Sequence, residues 1–272
     1  IQELDDDGIA GEVIFPQMAP FGAGLMQYRH DVTPEHNLEG CRAYNRWLAD
    51  LCNQNPGRHA GVAMITVEDI DVAVQDVIAA KEMGLWGGVL LPAGTGDAPY
   101  YHDERYEPLW ATCEELAMPV HTHSGWSPDY GTGPAATAMF ISEVSWYAHR
   151  PFTCFLWAGV FERYPNLRLI MTEQGTRWIV ERLKEFERNF DSPLFKYFGN
   201  DLSLRPTEYF QRQCYFGASM LSREDCELRH ELGTDKLMWG SDYPHIEGTW
   251  PNTLEKLQET FGPVEQEAHT RA

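Results

Sequence analysis

The chain has 272 residues, 43% hydrophobic and 23% charged, which suits a globular protein with a sizeable core. Its 21 basic and 41 acidic residues leave a formal charge of −20, which sets it against nucleic acid and anionic membrane surfaces as partners. No apolar run approaches the roughly 20 residues of a membrane span, and the six cysteines, none in a CxxC pair, read as reduced core residues of a cytoplasmic protein.

Ile1 to Ala10 reads as the end of a helix with Gly8 at its C-cap, and the strand that should feed this helix is expected to be missing. Glu12 to Phe15 is a short strand stopped by Pro16. Residues 17–33, rich in Gly, Pro and Met, read as a loop. Thr33-Pro34-Glu35 then starts a helix that should turn Leu38, Tyr44, Trp47, Leu48 and Leu51 inward. A strand at His59–Ile65, a helix over 68–83 and a strand at Gly87–Leu91 follow. Beyond a Gly/Pro/Tyr loop over 93–102, a helix from Asp103 to Leu116 leads into the strand Met118–His123. Residues 124–165 begin as a loop and become two apolar helical stretches split at Pro151. The strand Leu167–Thr172 delivers Glu173-Gln174-Gly175. A helix with Ile179, Leu183, Phe186 and Phe190 at helical spacing comes next. Residues 191–206 read as loop, 213–217 as a strand, 222–232 as a helix and Lys236–Trp239 as a short buried strand. A final helix spans 251–261, and the tail to Ala272 is polar.

This alternation argues a parallel sheet with crossover helices. An open doubly wound sheet usually carries a Gly-rich phosphate turn, and neither GxGxxG nor GxxxxGK is present. Seven strands in a chain that opens mid-helix therefore point to an α/β fold of the (β/α)8 TIM-barrel type, its first strand missing. No repeat or linker divides it, so 1–272 is expected to be one domain.

The candidate chemistry lies at strand ends. Residues i and i+2 of a strand face the same side, so His121 and His123 project together, with His121 a layer deeper. Imidazole is the commonest metal ligand near neutral pH, although either ring could instead be a hydrogen-bonded core residue. Glu173 leaves its strand at a Gln-Gly turn, where a carboxylate could ligate metal, exchange protons or favour a helix dipole. Asp242 sits where Gly240-Ser241 breaks the last strand; an aspartate there could cap a turn, or hold a divalent metal and take a proton from its water. His245 on the same loop is a candidate for orienting substrate, as is Trp126 among the loop aromatics, which together suggest an apolar pocket. His149-Arg150 reads as an anion clamp or as a charged helix end.

The segments PVHTHSG (119–125), GVFERYPNLRL (159–169), LRLIMTEQG (167–175) and MWGSDYPH (238–245) give the chain a likeness. It resembles the amidohydrolase-related family, which includes aminocarboxymuconate-semialdehyde decarboxylase, resorcylate decarboxylases and lactone hydrolases. The resemblance implies a (β/α)8 barrel with a divalent metal, usually zinc (Zn2+). It maps His123 onto the mid-chain metal-ligand histidine and Asp242 onto the late aspartate ligand. Glu173 stands where the decarboxylases carry a catalytic histidine. The HxH or ExH pair that family members carry on their first strand has no counterpart near the start of this chain.

These readings lead to a metal-dependent hydrolase of a small carbonyl substrate (ester, lactone, amide or thioester). His123, Asp242 and Glu173 are the expected ligands, Asp242 and Glu173 the catalytic groups, and His121, Trp126 and His245 the substrate contacts. The replacement of histidine by Glu173 favours hydrolysis over the alternative, non-oxidative decarboxylation of an aromatic or unsaturated carboxylic acid. A non-catalytic degenerate barrel is a third reading. A homodimer is expected, with the apolar stretch Phe152–Phe161 as core or dimer face.

Overall fold

Seven short strands, each parallel to the next, form one curled sheet in chain order: β1 (Glu12–Ile14), β2 (His59–Met64), β3 (Gly88–Leu90), β4 (Val120–His123), β5 (Leu169–Thr172), β6 (Cys214–Ser219) and β7 (Leu237–Gly240). The computed structural model describes residues 1–16, 32–95, 98–197, 201–219 and 221–262. The expected loop at 17–33 therefore lies almost wholly outside the described residues, as does most of the polar tail.

Helices return the chain between strands and cover the outer face: α1 (Gln2–Asp6), α2 (Pro34–Asn53), α3 (Ile70–Glu82), α4 (Glu107–Glu115), α5 (Pro134–Ala148), α6 (Arg150–Trp157), α7 (Val160–Arg163), α8 (Arg177–Asp191), α9 (Pro193–Tyr197), α10 (Pro206–Gln213), α11 (Arg223–Glu227), α12 (Arg229–Leu232) and α13 (Thr253–Phe261). Their starts follow local chemistry. Thr33 caps α2 by accepting from the His36 amide at 3.3 Å, with Pro34 in the first turn. Asp69 caps α3, and Ser222 with Asp225 makes a capping box on α11. This is the α/β barrel expected, with β1 and β7 as the two outer strands of the described sheet.

The main core lies between sheet and helices, where Trp110, Phe152, Phe155, Phe161, Phe210 and Phe216 are at most 1% exposed. Phe152, Phe155, Leu156, Val160 and Phe161 of the apolar stretch join this core, and Phe155 meets Trp110 of α4 edge-on at 4.6 Å. Inside the curl, Phe15 packs on Val62 and Leu90 and meets the rings of His121 and His123 at 5.1 and 5.7 Å. The expected buried strand at 236–239 is instead a half-exposed outer strand, with Met238 39% exposed, because among the described residues only β6 pairs with it. Trp47, expected inward, is 55% exposed; the buried stripe of α2 runs through Cys41, Asn45, Leu48 and Cys52. The expected loop at 191–206 contains α9, and α10 follows it as a further helix.

Candidate metal centre

Three parallel strands end at the same rim, and each delivers one group. The β4–β5 register pairs His123 with Thr172, so Glu173, the next residue, leaves β5 beside the histidine. Register from β5 to β6 to β7 sets Thr172 level with Gly217 and Met238; β7 runs on to Gly240, and Asp242 follows two residues later. Glu173 and Asp242 both take left-handed backbone, with φ of 51° and 57°. Such a conformation is unusual for a residue with a side chain and is kept where surroundings enforce it. Here it turns two carboxylates back over the strand ends.

His123 Nε2 lies 3.2 Å from Glu173 Oε2. Its Nδ1 donates to the Ser124 carbonyl at 2.5 Å, which leaves Nε2 as the nitrogen presented to the carboxylates. Ser219 Oγ donates to Glu173 Oε1 at 3.2 Å. His245 Nδ1 stands 3.1 Å from Asp242 Oδ1, and one donor atom each from Glu173, Asp242 and His245 falls within a 4.8 Å cluster. The structure therefore gathers His123, Glu173, Asp242 and His245 from residues spread over more than 120 positions of sequence.

The electrostatics follow from this crowding. Burial raises the Asp242 carboxyl, and the neighbouring Glu173 raises it further, to about 6, against the pull of His245. Burial also works against Glu173, but His123 outweighs it, with Asp242 and Ser219 assisting, and holds that carboxyl down. Burial disfavours a charged His123, yet its bonds to Glu173 and Ser124 and the charges of Glu173 and Asp242 raise its pKa. Two carboxylates this close repel each other's charge, so Asp242 is the member that gives up its proton less readily. Two carboxylates, an imidazole whose other nitrogen is fixed by a carbonyl, and a second imidazole at the rim suit a divalent ion. The donor set fits the metal that the resemblance implies.

His121 does not join this group. It is 2% exposed, and its Nε2 donates to the Gly87 carbonyl at 2.8 Å. The ring expected to contact substrate lies buried inside the curl beneath His123, with Phe15 at its edge. Trp126 stands in the loop after β4, half-buried, edge-on to Tyr147 at 5.0 Å and pressed against Gly94. His149, the candidate anion clamp, points inward: it stacks on Trp178 at 3.7 Å, and burial lowers its pKa to about 4, which leaves it neutral.

Sequence reading missed Ser219. It ended that strand at Gly217, two residues short of the serine, and a lone Ser at a strand end carries no distinguishing pattern. Period-two alternation continued from Gly217 is the signal that could have found it.

A parallel α/β barrel with clustered imidazole and carboxylate groups at the carboxyl ends of its strands defines a metal-dependent enzyme of the barrel class. Residues 15–270 match the family model described as Amidohydrolase, and the chain belongs to the amidohydrolase family. Gamma-resorcylate decarboxylase of Rhodococcus jostii is 25% identical over 230 residues, spanning 77% of this chain and 68% of that protein. The crystal structure of 5-carboxyvanillate decarboxylase from Sphingomonas paucimobilis superposes with a TM-score of 0.75 at 20% identity, covering 98% of this chain and 77% of that one. A 5-carboxyvanillate decarboxylase from Novosphingobium aromaticivorans, complexed with manganese and 4-hydroxy-3-methoxy-5-nitrobenzoic acid, gives a TM-score of 0.71 at 18% identity, covering 94% and 72%. Amidohydrolase enzymes depend on a divalent metal. Among the described residues, no helix is long and apolar enough to cross a membrane.

Proposed function

We propose that the chain is a divalent-metal-dependent, non-oxidative decarboxylase of an aromatic carboxylic acid. The observation that carries this is the named chemistry of its relatives, among them the gamma-resorcylate decarboxylase aligned over 77% of the chain. The hydrolytic reading rested on Glu173 in place of histidine, and it gives way here. A decarboxylase needs one proton for the carbon that loses carbon dioxide, and a protonated Asp242 can hold it as well as histidine can.

His123, Glu173 and Asp242 are the residues that would hold the metal, with zinc our expectation and manganese the alternative. Held by these residues, the metal would supply positive charge complementary to the oxygens of the acid. Asp242 then carries the proton. The bond between ring carbon and carboxylate breaks, its electron pair stays on the carbon, and the proton joins that carbon as carbon dioxide leaves. His245, 3.1 Å from Asp242 and 35% exposed, connects the proton to solvent. Trp126, Tyr130 and Tyr147 offer flat apolar faces near the β4 end for an aromatic ring. One barrel domain spans 1–272 in this reading, in line with the family match over 15–270.

The test is carbon dioxide release by the full chain, loaded in turn with zinc and manganese and supplied with gamma-resorcylate or 5-carboxyvanillate. Turnover of these acids with no turnover of aryl esters or lactones is the expected result. Ester or lactone hydrolysis with no carbon dioxide would restore the hydrolase.

A further inference from the structure

Glu173 is held in its left-handed turn by neighbours that do not touch its carboxylate. Its amide donates to the Gly217 carbonyl at 3.1 Å, and its own carbonyl accepts from Ser124 Oγ. The following residue is held from two sides: Gln174 Nε2 donates to Thr122 Oγ1 at 2.6 Å, and the Gln174 carbonyl accepts from His149 Nε2 at 3.1 Å. Trp178 Nε1 closes the turn by donating to the Gly175 carbonyl at 3.1 Å. The same Trp178 lies flat on His149, their planes 12° apart. The two side chains therefore brace each other while each grips one carbonyl of the turn.

We infer that His149 is a positioning residue: stacked on Trp178 and donating to the Gln174 carbonyl, it fixes the 173–175 turn so that the Glu173 carboxylate faces His123 and Asp242. This rests on the reading that Glu173 belongs to the metal-holding set. A left-handed glutamate has a nearby lower-energy conformation available to it, and relaxation of the turn would swing its carboxylate away from the rim. Outer groups that orient a ligand govern metal affinity without touching the metal.

The experiment titrates the metal-free full chain with manganese alone and reads the free ion by electron paramagnetic resonance, so no substrate enters. His149→Phe keeps a ring on Trp178 and removes the donor. It is expected to bind manganese about 10-fold to 100-fold more weakly, the range for lost orienting partners. His149→Gln restores an N–H at similar reach and should recover most of that loss. Ser124→Ala, which removes the grip on the neighbouring carbonyl, should weaken binding in the same direction and serves if His149→Phe does not fold. Wild-type manganese affinity in a folded His149→Phe, or in Ser124→Ala if His149→Phe does not fold, would overturn the inference. So would equal losses in His149→Phe and His149→Gln, because restoring an N–H would then have recovered nothing. A wild-type chain that binds manganese and releases no carbon dioxide would count against the decarboxylase reading alone.

Discussion

His123 Nε2 stands 3.2 Å from Glu173 Oε2 although 50 residues separate the two in sequence. Strand register makes this contact inevitable. Once Thr172 pairs with His123, the next residue of β5 must emerge beside that imidazole, and the left-handed turn aims it inward. The pair then sets the charge state of the rim. An ionised Glu173 raises the pKa of His123 by attraction and that of Asp242 by like-charge repulsion.

The first prediction concerns Asp242. Its side chain is 8% exposed and acts at the rim, while the main core lies elsewhere. Asp242→Ala should therefore lose metal and turnover together and unfold within about 1 kcal/mol of wild type in urea, as a change outside the core does. Metal analysis and a denaturation curve on one preparation check both halves. Retained turnover would sink the mechanism.

Glu173→Gln isolates the charge of the neighbouring carboxylate. His123 is raised chiefly because a bonded, ionised Glu173 overcomes burial. With that charge gone, burial should prevail and the His123 pKa should fall; Asp242, relieved of a like-charged neighbour, should fall too. Ring-proton NMR of the metal-free protein follows His123 directly. A His123 titration unchanged in the variant would show that Glu173 does not set it.

The sequence made much of this legible, for identifiable reasons. The seven strands showed because most are short apolar runs closed by Gly, Pro or a charged residue. His123, Glu173 and Asp242 showed because they sit where such runs end. Trp47 misled because its spacing from Tyr44 and Leu51 is helical, yet the buried stripe of α2 lies one position around, on Leu48 and Cys52. Helix α10 went unread although Pro206 opens it and Glu208 accepts from the Arg205 amide at 2.7 Å, because only Tyr209 and Phe210 mark its inner face. The inward turn of His149 was hidden altogether. Its partners, Trp178 and the Gln174 carbonyl, come from across a strand and a helix start, and no local pattern encodes that meeting.

Gly88 offers a test of what supports His121. Its φ is +118°, and a Cβ there would lie 2.3 Å from the Pro119 carbonyl oxygen and 2.9 Å from the His121 ring. Neither backbone nor a sealed ring can yield cheaply. Gly88→Ala should cost about 3 kcal/mol or more, combining backbone strain with overpacking. A urea midpoint close to wild type would show that β3 can shift away from β4.

The last prediction follows from His121 itself. Burial pushes its pKa down to about 4, despite the favourable Gly87 bond, while the unfolded chain keeps the ordinary value of 6.5. The folded state therefore resists a proton that the unfolded state accepts. Its contribution to stability is fully present above pH 6.5 and is lost as the pH falls towards 4, at about 1.4 kcal/mol per pH unit and roughly 3 kcal/mol in all. His121→Gln keeps a donor for the Gly87 carbonyl but cannot titrate. The wild type should lose stability against this variant between pH 6.5 and 4, and the difference should be flat above pH 7. Parallel urea denaturation series at stepped pH read the difference directly. A gap that does not change across that window would mean that His121 takes up its proton as readily folded as unfolded, and that its place inside the curl is wetter than its 2% exposure indicates.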